Sequence, residues 1–287
     1  MGIVLMRRYE PEENAETLQV VLPGPTMSGC GPGRFLARTD SAAPLETDAP
    51  RTTLFCIPHA GGSATYYAKL KSFPARHVAF QPLEMAGRGR RSREPLATNM
   101  DDIVHDLFRH IAPVARTAPY AIFGHSMGAL LALLCTMQAR AAGLPLPQAL
   151  FVSACAPPDA MTRKSSAPVS SLSPEHLWRH VEQLGGIPTS IAASAEFRAY
   201  LTPILHADFT ALDSWRPEPV PPLPVPIAVF LGDQDAVGEP VARGWRKYTT
   251  GGFSMHAFRG NHFYLQDHWE ALAAHMTQTI SGLHHAG

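Results

Sequence analysis

From Thr52 onward the chain alternates short apolar runs with longer amphipathic stretches. Thr53–Ile57, His77–Leu83, Tyr120–Phe123, Ala149–Ala154, Pro226–Leu231 and Met255–Arg259 have the length and residue types of strands. Between them, Ala64–Ser72, Asn99–Ala115 and Met127–Ala141 predict helices, as do the neighbourhood of Pro240–Lys247 and the stretch Phe263–Ile280. Ala149–Ala154 is apolar without alternation, as expected of a strand covered on both faces. Strands alternating with helices imply right-handed crossovers and an α/β fold with a mostly parallel sheet between two helical layers.

Two regions depart from this rhythm. Residues 157–224 contain no obvious strand, only helical patches at Glu175–Leu184 and Ala195–Leu205 and a dense proline run from Pro217 to Pro226. The segment predicts a helical lid, the alternative being a plain helical crossover, for which it is longer than needed. Residues 1–50 are rich in Pro, Gly, Glu and Thr, with only Leu18–Leu22 resembling a strand. They read as a largely disordered extension ahead of a domain at 51–287.

Composition narrows the function classes. The 287 residues are 45% hydrophobic and 17% charged, enough for a sizeable core, and 24 basic residues balance 24 acidic ones. No net field draws the chain to nucleic acid or to anionic lipid. The apolar stretch Met127–Met137 is far short of a membrane span. At the N-terminus the apolar run is too short for a secretory signal and its arginines follow it, while Met6 stands where a myristoylation signal needs Ser or Thr. The expectation is a cytoplasmic protein, monomeric by default. Among four cysteines, Cys56, Cys135 and Cys155 fall in predicted buried elements and read as small core hydrophobes; Cys30, in a Gly/Pro-rich stretch, reads as exposed. No pair has metal-ligand spacing, and a disulfide framework is not expected.

The chemistry concentrates at Gly124-His125-Ser126-Met127-Gly128. This G-x-S-x-G sits between the apolar run Tyr120–Phe123 and the apolar helix Met127–Ala141. Such a strand-to-helix turn lifts a serine hydroxyl clear of the sheet, and glycines on either side avoid crowding the turn. Ser126 is the candidate nucleophile.

A serine needs a base, and the base needs an acid to orient it. α/β-Hydrolases place them in the order Ser, Asp or Glu, His. Of the histidines beyond the last acid-bearing strand, His262 lies in a loop between a strand and the final helix, whereas His256 lies within a strand and His268 and His275 within a helix. For the acid, Asp233 and Asp235 compete in Gly232-Asp233-Gln234-Asp235; Asp235 is favoured, with Asp233 read as bracing the turn. Two backbone amides could stabilise an oxyanion, that of Met127 and that of Ala60 in Pro58-His59-Ala60-Gly61-Gly62-Ser63. This glycine pair lacks the lysine and spacing of a phosphate-binding loop. His59 and His125 read as structural hydrogen-bonders. Arg88, Arg90, Arg91 and Arg93 read as a solvated loop, with a phosphate contact as the alternative.

These motifs together resemble the type II thioesterases that accompany polyketide and nonribosomal peptide synthetases. The resemblance rests on Leu54–Ser63, Gly87–Arg91 with Glu94-Pro95, Phe123–Ala129, Gln183–Pro188, Leu205–Phe209, Gly232 with Asp235, Gly244-Trp245 and Gly260–Phe263. Met85-Ala86 and Asn261 depart from the usual pattern. It covers Thr52 to Ile280 and leaves residues 1–50 without a counterpart. It implies the α/β-hydrolase fold and hydrolysis of aberrant or short acyl groups from the phosphopantetheine arm of acyl or peptidyl carrier proteins. Ser126, Asp235 and His262 would act as the triad and no cofactor would be needed. A carboxylesterase or lipase, an acyltransferase and a non-catalytic acyl-binding module remain the alternatives.

Overall fold

The computed structural model describes residues 51–73, 75, 77–161, 168–187 and 192–284. The readings made for residues 1–50, Cys30 among them, lie outside the described residues. Six parallel strands form one sheet in the order β2-β1-β3-β4-β5-β6. They are β1 (Thr52–Ile57), β2 (Val78–Pro82), β3 (Tyr120–His125), β4 (Leu150–Ser153), β5 (Ile227–Gly232) and β6 (Phe253–Phe258). Their burial follows from their composition: β3, β4 and β5 are buried at every position, because helices cover both faces. On one face lie α1 (Met100–Ala115) and α2 (Met127–Ala141); on the other lie a 3-10 helix at Ala64–Ser72 and the C-terminal helix.

The topology places the site. From β1 the chain runs outward to β2, then crosses back to β3 on the other side of β1 and continues through β4, β5 and β6. The loops after β1 and β3 therefore leave in opposite directions and open a crevice at the strands' carboxyl ends, where ligands of open α/β sheets bind.

Several boundaries move from their sequence-based positions. Asn99 is not the first residue of α1 but its cap, its side chain accepting from the Asp102 amide. The predicted helix at Phe263–Ile280 is interrupted: a 3-10 turn at Tyr264–Gln266 precedes a helix that starts at Trp269 and runs to His284. Tyr264 and Leu265 are adjacent and both buried, and the tight turn directs both inward before the helix begins. The helix expected near Pro240–Lys247 is one α-turn, Glu239–Ala242, followed by a 3-10 stretch, Arg243–Tyr248.

Between β4 and β5 stand α3 (Pro174–Leu184) and α4 (Ala195–Ser214), with the C-terminal helix completing the series as α5 (Trp269–His284). Pro at the first turn of α3 and a left-handed Gly185 at its end bound that helix. Helix α4 continues nine residues beyond the predicted Leu205. Its inward stripe passes through Leu201, Leu205, Asp208 and Ala211, and a buried carboxylate in that stripe interrupts the hydrophobic signal without interrupting the helix. Leu177, Trp178, Val181, Leu201, Ile204 and Leu205 join α3 and α4 in an apolar cluster separate from the two that cover the sheet. Among the described residues no helix is long and apolar enough to cross a membrane.

Candidate active site

The nucleophile turn follows from close packing. Ser126 has φ 55° and ψ −119°, a left-handed conformation unusual for a residue with a side chain and costing about 1–3 kcal/mol. Its neighbours hold it there: the Ser126 amide donates to the Ser153 carbonyl at 2.8 Å and its own carbonyl accepts from Ala129 at 2.9 Å. The two glycines permit the approach. A Cβ at Gly124 would collide with the Gly128 backbone, and one at Gly128 with the Ile57 and Pro58 carbonyls.

The loops after β5 and β6 are tied to each other. Asp233 donates its amide to the Phe258 carbonyl at 2.8 Å and accepts from the Gly260 amide at 2.8 Å, and Gln234 donates to the Gly260 carbonyl at 2.9 Å. Asp233 is thus the residue that braces the turn. Asp235 points elsewhere: its carboxylate meets His262 Nδ1 at 3.0 and 3.2 Å and also accepts from the Val237 amide at 3.1 Å. His262 Nε2 lies 3.0 Å from Ser126 Oγ. Three side chains separated by up to 136 positions thus form one chain of hydrogen bonds, with the Asp235 side chain 1% and that of His262 12% exposed. In this arrangement an imidazole can take the hydroxyl proton while the carboxylate fixes its tautomer.

The two candidate oxyanion donors occupy the expected loops. Met127 is the first residue of α2, so its N–H lies outside the helical ladder. Ala60 lines the cavity above Ser126.

The remaining histidines divide. His125 is buried and its Nδ1 meets Ser153 Oγ at 2.9 Å, which in turn meets the Tyr264 hydroxyl at 2.8 Å. His59 packs edge-on against Tyr66 and Phe263, and its Nδ1 is buried with no hydrogen-bond partner among the described residues, so it fills space more than it bonds. Burial lowers His59 to about 3, aided by His262 and Arg88. It holds His125 well below the usual imidazole range, aided by His262 and His59. Both rings are therefore neutral at pH 7 and do not oppose a developing charge on His262. The ring centroids of His256 and His275 lie 4.4 Å apart with their planes tilted by 40°, and His268 Nε2 donates to the Arg259 carbonyl at 2.9 Å just ahead of α5. Cys56, Cys135 and Cys155 are buried, and burial pushes Cys135 and Cys155 up to about 12.

The solvated reading of the arginine run fails at two positions. Arg88 is buried and paired with Asp208, and Arg91 is held by Glu94 and Asp106; Arg90 and Arg93 are exposed. Sequence offered no sign of the first pair, because its partner lies 120 residues away.

Above Ser126 and His262 opens a cavity of about 410 Å³. The loop after β1 forms one wall, and Val181, Leu184, Leu201, Leu205 and Phe209 of α3 and α4 form another. Its lining is mainly aliphatic and aromatic, suited to an acyl chain. Among the described residues no group of three or more His, Cys, Asp or Glu could hold a metal ion.

Comparison with known proteins shows the family. A model of the thioesterase domain matches residues 52–280. The gramicidin S biosynthesis protein GrsT of Aneurinibacillus migulanus is 31% identical over 76% of this chain and 85% of its own length. The medium-chain S-acyl fatty acid synthase thioesterase of Homo sapiens is 29% identical over 75% of this chain and 81% of its own. The crystal structure of ClbQ from the colibactin NRPS/PKS pathway superimposes with a TM-score of 0.77 at 32% identity, covering 83% of this chain and all of that one. The chain belongs to the thioesterase domain family and is a hydrolase of thioesters on the α/β-hydrolase fold.

Proposed function

We propose that this enzyme removes aberrant or short acyl groups from the phosphopantetheine arm of acyl or peptidyl carrier proteins serving a polyketide or nonribosomal peptide assembly line in the cytoplasm. The observation that carries the proposal is the 3.0 Å contact between His262 Nε2 and Ser126 Oγ at the base of an apolar cavity. The similarity to GrsT, a gramicidin S biosynthesis protein, and to ClbQ, from the colibactin NRPS/PKS pathway, supports the partner class.

In this reading Ser126 Oγ attacks the thioester carbonyl carbon as His262 Nε2 takes its proton. The carbonyl oxygen becomes an oxyanion held by the Ala60 and Met127 amides. Collapse breaks the C–S bond, His262 protonates the departing thiolate, and the acyl group remains on Ser126. Water then enters, gives a proton to His262 and attacks the acyl carbon; the acid leaves and Ser126 regains its proton. Asp235 holds His262 in the tautomer that presents Nε2 to the serine. The segment carrying α3 and α4 acts as a lid that limits water and sets chain length.

The test is turnover across carriers bearing acetyl through octanoyl groups, beside a simple aryl ester and acyl-CoA thioesters, with Ser126→Ala as control. Carrier-bound thioesters should give the highest kcat/KM, and Ser126→Ala should release nothing above background. Preference for the aryl ester with no carrier activity would make the enzyme a carboxylesterase instead. Acyl transfer to an added alcohol or amine would make it an acyltransferase.

A further inference from the structure

Among the described residues, Arg88 and Asp208 are the only Asp, Glu, Lys or Arg buried as whole residues. They meet in a two-pronged pair, Nη1 to Oδ2 at 2.6 Å and Nη2 to Oδ1 at 2.7 Å. Such a pair gives little net stability, because desolvation of both charges offsets their attraction. Its position is more informative than its strength. Asp208 Oδ2 also accepts from the Gly61 amide at 2.7 Å, and Arg88 Nη1 reaches the Gly62 carbonyl at 3.4 Å. The other end of the same loop is held by Glu84, whose carboxylate accepts from the Ala64 amide at 3.0 Å.

Gly61 directly follows Ala60, the proposed oxyanion donor. It has φ +77°, and a Cβ there would meet Leu205 and Leu201 of α4, so the loop lies against the helix that bears Asp208. The carboxylate thus bridges two layers: it stands on α4, beyond the sheet, and grips the backbone that aims the catalytic amide.

We infer that Asp208 is a positioning residue for the oxyanion hole. Its bond to Gly61 N–H fixes the Ala60–Gly61 peptide, next to the one that carries the Ala60 N–H, and Arg88 orients the carboxylate that makes the bond. Because Asp208 sits on α4, the hole is complete only with that helix seated, which couples occupation of the acyl cavity to the chemistry below it. This inference rests on the Ser126 and Ala60 reading above.

Two double variants isolate the bond to Gly61. Arg88→Met with Asp208→Asn and Arg88→Met with Asp208→Leu each remove both charges and leave neither partner as an unpaired buried ion. They differ in whether position 208 can accept from Gly61 N–H. With an octanoyl thioester, the Asn pair should stay within about 10-fold of wild-type kcat. The Leu pair should lose a factor of about 10²–10³, the cost of one oxyanion donor, with KM little changed. Affinity for an octyl trifluoromethyl ketone, whose adduct places an oxyanion in the hole, should fall in parallel with kcat, and thermal melts should show both variants folded at the assay temperature. Equal kcat in the two pairs, or a loss confined to KM or to the folded fraction, would overturn the inference. Asp208→Glu serves if the Leu pair does not fold: it keeps both charges but displaces the carboxylate, so kcat should fall at least about 10-fold at constant KM, and wild-type kcat would overturn the inference. Ser126→Ala separates the two layers of argument. Activity surviving in it refutes the nucleophile reading itself; an inactive Ser126→Ala alongside equal double variants refutes the role of Asp208 alone.

Discussion

The carboxyl ends of the strands and the α3–α4 segment are built on different principles. Ser126, Asp235 and His262 stand on loops leaving β3, β5 and β6, and those loops are stitched to neighbouring strands through backbone bonds such as Ser126 to Ser153 and Gln234 to Gly260. Helices α3 and α4 have an apolar cluster of their own, and they meet the sheet side where Ala211 and Leu212 join one core and Leu184 the other, and through contacts at the site. These include Asp208 on Gly61, Gly185 against Asn261 and Gly186 against Phe263. In the proposed function, proton transfer, which tolerates little displacement, falls to the stiff layer of loops tied by backbone bonds. In the same proposal, chain selection falls to the cavity wall that α3 and α4 supply. Rate and selectivity should therefore respond to mutation separately, with Asp208 as the point where the layers meet.

The largest effects should come from the stiff layer. Ser126→Ala or His262→Ala should lower kcat by about 10⁴–10⁶ with an unchanged melting temperature, read by thioester turnover and calorimetry. Next comes a contrast between two neighbouring carboxylates. Asp235→Asn should cost about 10²–10⁴ in kcat by disturbing the His262 tautomer. Asp233→Ala should act mainly on stability, since it removes the acceptor of the Gly260 amide and leaves the His262 contact alone. A reversal of that order would break the division of labour between them.

Smaller and different in kind is the effect expected in the other layer. Phe209→Ala widens the cavity wall and should raise the octanoyl-to-acetyl ratio of kcat/KM by about 10-fold, the scale of a few methylenes of pocket discrimination. The best chain for the variant should still turn over near the wild-type kcat. Loss of all turnover instead would show that chain selection and chemistry are not separable.

The smallest prediction concerns pH. Burial, with His275 beside it, lowers His256 to about 4 from an ordinary 6.5, and His59 is lowered to about 3. Above pH 6.5 both states of the protein are neutral at these rings and stability is unaffected by them. As pH falls below 6.5 the unfolded chain takes up protons before the folded one, so stability is lost progressively toward the folded values. Melting temperatures should be level from pH 8 to 6.5 and decline below, and His256→Gln should soften the decline. An identical slope in that variant would remove His256 from the account.

Much of this was legible before the structure. The strand-turn-helix setting of Ser126, the position of His262 between a strand and a helix, and the spacing of Asp235 from Gly232 each carry a local signature. Parallel order followed from the alternation of strands and helices. What stayed hidden was set by distant partners. Asp208 fell beyond the predicted helical patch ending at Leu205 and Arg88 in a loop read as solvated, because neither sequence neighbourhood contains the other. The split before α5 was equally obscure, since Phe263–Ile280 has helical composition throughout and the interruption comes from the demand to bury Tyr264 and Leu265 together. Local chemistry reads out of sequence; long-range electrostatic pairing does not.

The central claim is that the acyl group passes through Ser126. Rapid-quench mass spectrometry of the enzyme during turnover of an octanoyl-carrier thioester tests it most directly. The account predicts a transient octanoyl adduct on the peptide containing Ser126, formed and lost at rates consistent with kcat and missing from Ser126→Ala. An adduct on another residue, or undiminished hydrolysis by Ser126→Ala, would contradict it.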